Sequence, residues 1–157
     1  MNNIEIIKEW IKYAEMDRST AEYENKRVDK PFEIICYHCQ QSVEKYLKAC
    51  LIMYGYSVYK SHDLFELLGY CIKENKEFEK IKEECISLTN YAVETRYPFH
   101  KFELEENDVK EAINSMNKCN NLIIDVLNNY LQNEKENNNK EAPIDEDNTE
   151  DDDEEEM

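Results

Sequence analysis

The stretch YAVETRYPFH, residues 91–100, places an arginine, two aromatic residues, a proline and a histidine within five positions. Arg96 and His100 are the two side chains there suited to a phosphodiester. A guanidinium forks onto phosphoryl oxygens and offsets negative charge as it develops. An imidazole moves a proton near neutral pH. Pro98 braces the pair, and Tyr97 and Phe99 offer aromatic faces. The same residues also have a plain structural use, because an arginine in the last turn of a helix bonds orphan carbonyls and opposes the dipole. Residue chemistry alone leaves both uses open, with Arg96 and His100 as candidate catalytic groups and Tyr97 as a candidate ligand contact.

Three further groups carry chemistry. His62, in KSHDLFELL, stands at the start of a helix beside Asp63 and is a candidate ligand contact; its commoner use is a hydrogen bond to a carboxylate or carbonyl. In QQSVEKYLKA, Glu44 and Lys48 have the favourable i,i+4 order, which on a solvated face contributes a few tenths of a kcal/mol. Lys45 from the same run joins Arg96 and Lys101 as a local basic cleft and is a third ligand-contact candidate. CYHC, residues 36–39, has zinc-like CxxC spacing around His38, but a closed site needs four ligands and no second CxxC or HxxxH exists. Cys36, Cys39 and Cys50 fall on the apolar stripe of one helix, where thiols pack as small hydrophobes. No metal and no cofactor is expected.

The elements that must position these residues are helical. Only two glycines and three prolines occur in 157 residues, too few for short strands joined by tight turns. Apolar residues recur at 3–4 spacing almost throughout. A first helix carries Ile4, Ile7, Ile11, Ala14 and Ala21, with Arg18 where an apolar residue is due and Asp17 beside it. A second follows Pro31 with Phe32, Ile35, Val43, Leu47 and Tyr54, and Gly55 is placed to end it. YSVYK is an extended link. Ser61 is the expected N-cap of a third helix with Leu64, Leu67 and Leu68. A fourth, Phe78, Ile81, Cys85, Leu88 and Ala92, should run until Pro98 stops it. A fifth begins near Asn107 and carries Val109, Ile113, Met116, Ile123, Val126 and Tyr130. The fold class is all-α, an antiparallel up-and-down bundle of four or five helices.

Charge divides the chain at residue 131. Residues 1–131 hold 23 acids and 17 bases, and residues 132–157 hold 13 acids and 2 bases. The second part cannot bury enough apolar surface to offset its ordering entropy and is expected to be a disordered acidic tail. An acidic body excludes a broad basic surface for duplex DNA. No apolar stretch approaches the roughly 20 residues of a membrane span, and MNNIEIIKEW does not read as a secretory leader. A cytoplasmic protein with reduced thiols is the expectation.

Three stretches together resemble the HEPN domain family. CYHCQQSVEKYLKACLIMYG is similar to its second-helix pattern, a histidine followed by two glutamines and then by Glu-Lys and Lys-Ala. SHDLFELL is similar to its Thr/Ser-His-Asp-Leu segment, and ETRYP to the Arg-Tyr-Pro segment of one large branch. Asp17 falls where the family's first helix has an acidic position. The resemblance implies a helical bundle that pairs as a homodimer, and either of two roles. One is a nucleotide- or RNA-binding module acting with a small nucleotidyltransferase partner. The other is a metal-independent RNA endonuclease, toxin-like, in which an Arg-x4-6-His motif meets its copy across the dimer. There Arg96 would stabilise the phosphorane and His100 would serve the 2′-hydroxyl. Only three residues separate Arg96 from His100 here, and Phe102 stands where the toxin branch carries a modifiable tyrosine. The short spacing favours the binding module on single-stranded RNA or a nucleotide, whereas Phe102 removes the hydroxyl that a partner of the toxin branch would modify.

Overall fold

The computed structural model describes residues 1–57, 60–92 and 103–140. Arg96, Tyr97, Pro98, His100 and Lys101, and the acidic residues 141–157, lie outside them.

The apolar stripes close into five α-helices among the described residues: α1 (Asn3–Glu24), α2 (Phe32–Met53), α3 (Leu64–Glu74), α4 (Lys82–Thr89) and α5 (Glu106–Lys140). A 3-10 helix, Lys76–Ile81, precedes α4. The start of α1 is fixed by a capping box. The Glu5 amide donates to Asn2 Oδ1 at 2.9 Å, and the Asn2 amide donates to Glu5 Oε2 at 3.1 Å. Ile7, Ala14 and Ala21 are buried on one face. The two alanines leave little bulk between α1 and α2.

Helix α2 is the axis of the bundle, packed by α1, α3, α4 and α5, with fifteen of its 22 residues buried. Trp10 meets Lys48, Ala14 meets Ser42 and Asp17 meets His38. Rising numbers on α1 against falling ones on α2 make the pair antiparallel. A buried relay ties in α5. Asn120 Nδ2 donates to Ser42 Oγ at 2.9 Å, and Ser42 Oγ donates to the Ala14 carbonyl at 2.9 Å. Gly55 ends α2 as expected, at φ 86°. The Tyr56 amide donates to the Leu51 carbonyl and the Gly55 amide to the Ile52 carbonyl, at 2.9 and 3.0 Å, a Schellman closure that needs the left-handed residue.

Three local expectations are corrected. The N-cap of α3 is Asp63, whose Oδ1 accepts from the Phe65 amide at 2.9 Å; Ser61 Oγ instead accepts from Asp63 N and donates to Glu66. Phe78 and Ile81 belong to the 3-10 segment, and α4 stops at Thr89 rather than continuing to Pro98. Helix α5 does not end at Leu131 but runs to Lys140. Arg18 donates to Asn117 at 3.1 Å, and that register brings Ile4 opposite Leu131, so residues 132–140 extend past the start of α1.

All six cysteines are free thiols in the core. Burial pushes the Cys36 thiol from 9.0 up to about 12 and raises Cys39 as well. Native protein at about pH 8 should therefore resist alkylation at every cysteine, while the unfolded chain labels fully. Because the folded Cys36 and Cys39 thiols hold their protons above the unfolded value, their contribution to stability is complete below pH 9.0 and, for Cys36, is lost as pH rises toward about 12. Mass-resolved labelling with iodoacetamide and denaturant midpoints across that range check both statements. No helix of the described residues is long and apolar enough to cross a membrane.

Candidate functional site

The run QQSVEKYLK should face solvent if it were a simple i,i+4 charged face. It is buried instead. Glu44 is 2% exposed and Lys48 6%. Trp10 from α1 and the segment leading into α3 cover this side of α2. Burying a carboxylate and an ammonium is costly unless every polar atom finds a partner, and here they do. Glu44 Oε1 accepts from Gln40 Nε2 at 3.4 Å and bonds His62 Nδ1 at 2.9 Å; Oε2 accepts from Lys48 Nζ at 3.3 Å. Gln40 Nε2 also donates to the His62 carbonyl at 3.1 Å, and Gln41 Nε2 donates to Gln40 Oε1 at 2.7 Å. The Lys48 ammonium lies 5.6 Å from the centroid of the Trp10 ring, a cation–π contact.

This network ends at the surface. The His62 side chain is 61% exposed while its carboxylate partner is buried. A carboxylate on Nδ1 selects the tautomer with hydrogen there, so Nε2 is left as an acceptor facing outward.

A second imidazole is held in the same way on the α1–α2 seam. His38 Nδ1 bonds Asp17 Oδ1 at 2.8 Å, and Lys45 Nζ donates to Asp17 Oδ2. Cys36 and Cys39 point into the core, whereas His38, between them, turns to α1. Asp17 itself is buried at the edge of the α1 stripe.

Lys45 and His62 thus belong to different clusters. Lys45 is tied to Asp17 across α1, and His62 to Glu44 beside α3. Arg96, Tyr97 and His100 lie outside the described residues, although the flanking Tyr91 and Leu104 pack on the core. Beyond that segment, α4 and α5 stay together through Lys118 Nζ on Glu84 Oε1 at 2.5 Å. The pairing of Asp17 with His38 escaped the sequence reading. Its one signal was the polar Asp17–Arg18 step inside an apolar stripe. No group of three His, Cys, Asp or Glu able to hold a metal ion occurs among the described residues.

The HEPN domain family model matches residues 7–129. The chain belongs to the HEPN domain family. The match takes in all of α2, α3 and α4, with both carboxylate–imidazole pairs, and ends within α5. No curated protein matches the chain. Among solved structures it is similar to TT1696 from Thermus thermophilus, with a TM-score of 0.67 and 21% identity over 76% of this chain and 96% of that one. That likeness shows the same helical fold. As a HEPN domain, the protein is a nucleotide- or RNA-related module.

Proposed function

We propose that this HEPN chain binds a nucleotide or single-stranded RNA without chemistry of its own, as a homodimer acting beside a nucleotidyltransferase-type partner. The observation that carries the binding reading is the exposed His62 edge held by a buried Glu44–Lys48–Gln40 scaffold. Buried charge of this kind is weak support for stability. A use for it is to fix one imidazole in one tautomer at the surface, pre-organised for a ligand. The partner and the dimer rest on the family resemblance carried by CYHCQQSVEKYLKA, SHDLFELL and ETRYP.

A second reading, metal-independent RNA cleavage, is favoured by Arg96 and His100 standing four positions apart beside Tyr97. One titration separates the two. Fluorescence polarisation of a labelled single-stranded RNA, with no metal added, should give saturable binding that His62→Ala weakens about tenfold. The RNA should be recovered intact. Equal affinity of the wild type and His62→Ala overturns the His62 site. Cyclic-phosphate ends that disappear in His100→Ala transfer the function to the second reading.

A further inference from the structure

Where α5 passes the start of α1 the two helices leave a groove of about 550 Å³, away from both carboxylate–imidazole pairs. Ile4 and Leu131 line it with apolar surface, Lys8 and Lys135 with charge, and Asn138 and Asn139 with amides. Ile4 and Leu131 are only partly buried, so that apolar surface is open. The lining holds two ammoniums and no carboxylate; Glu134 and Glu136 stand on the same stretch of α5 but do not line it. Neither Lys8 nor Lys135 takes part in an ion pair among the described residues.

The occupant that fits is the stretch of this chain that follows Lys140. Residues 141–157 carry 11 acids and no base, which complements the two lysines, and Ile144 is their one branched aliphatic. The lengths agree. From Leu131 to Lys140 the helix rises roughly 13 Å, and the four residues from Lys140 to Ile144 span about 13 Å when extended. Ala142 precedes Pro143 and so resists helical geometry, which suits a reversal there. A chain reversing after Lys140 brings Ile144 within side-chain reach of Leu131, and Leu131 stands opposite Ile4 in the register set by Arg18 and Asn117. In that antiparallel register Lys8 lies about 6 Å farther along, where Asp145, Glu146 and Asp147 come next. Lys135, half-way back, falls beside Glu141. We infer that residues 141–157 fold back on α5 and close this groove in their own chain, with Ile144 between Ile4 and Leu131 and the acids after it against Lys8. Tethering keeps the segment at high local concentration without a second molecule, and only the few residues up to Asp147 need be ordered.

The test is amide hydrogen exchange of the full chain, read over residues 132–140, for the wild type, Ile144→Asp and Lys8→Glu. Neither substitution lies in α5, so neither alters that helix directly. A seated tail slows exchange there. Ile144→Asp should speed it about tenfold by removing the apolar anchor, with residues 112–127 unchanged. Lys8→Glu should speed it about twofold at low salt, and high salt should erase the difference between this variant and the wild type. Unchanged exchange over 132–140 in Ile144→Asp overturns the inference. Equal acceleration over 112–127 marks loss of the whole fold rather than of the tail, and overturns it as well. So does wild-type protection that rises with protein concentration, because that assigns the groove to the tail of a second copy.

Discussion

Glu44→Ala is expected to destabilise the fold by about 3–5 kcal/mol, the cost of leaving a buried charge without its partner. Lys48 would stay in place beneath Trp10 with no carboxylate, and Gln40 and His62 would each lose a shared acceptor. Urea denaturation reads the change directly. The paired replacement Glu44→Leu with Lys48→Met removes both charges together, and should regain most of the lost stability, because a well-packed apolar pair of similar volume replaces a buried ion pair at little cost. The double variant should nonetheless bind RNA as poorly as His62→Ala, since nothing then fixes the imidazole. A Glu44→Ala effect within about 0.5 kcal/mol of wild type, the range of ordinary surface changes, would refute the buried network.

The second large effect belongs to the 3-10 segment. Phe78→Ala should cost about 3–5 kcal/mol, since it empties a fully buried aromatic site that cannot collapse. Phe78 is 0% exposed and meets Tyr54 edge-on with ring centroids 6.3 Å apart at 74°. The contrast is Phe65→Ala on α3. That ring is half exposed and touched by the Lys82 ammonium 5.7 Å from its centroid. Its removal should change stability by well under 1 kcal/mol. Equal losses in the two variants would refute the placement of Phe78 in the core.

The helical bundle was legible because the core stripes obey one period. Ile7, Ala14 and Ala21, then Leu64, Leu67, Leu68 and Cys71, then Cys85 and Leu88, are the buried faces of α1, α3 and α4. Where two geometries share a spacing, the period is silent. Phe78 and Ile81 are three apart, which suits a 3-10 turn as well as an α-helix. Ser61 and Asp63 both have capping side chains, and only the backbone decides between them. The polar arc of α2 was misjudged for a different reason. Whether Glu44 and Lys48 are solvated depends on Trp10 and on the segment before α3, and neither is visible in a local window. The carboxylate partners of His38 and His62 lie 21 and 18 residues away in sequence, so the site exists only after the helices have packed. Arg96, Tyr97 and His100 stay outside the described residues.

The overrun of α5 bears on how the acidic residues act. From 132 to 140 the helix continues past the start of α1 with hardly an apolar side chain. At 1.5 Å per residue this rod is roughly 13 Å long, against a Debye length of about 8 Å at physiological salt. A charge at the Lys140 end of the helix is therefore largely screened from the seams in the body of the bundle. The seams at Asp17 and Glu44 keep a local potential of their own, set by the charges that touch them rather than by the net charge of the chain.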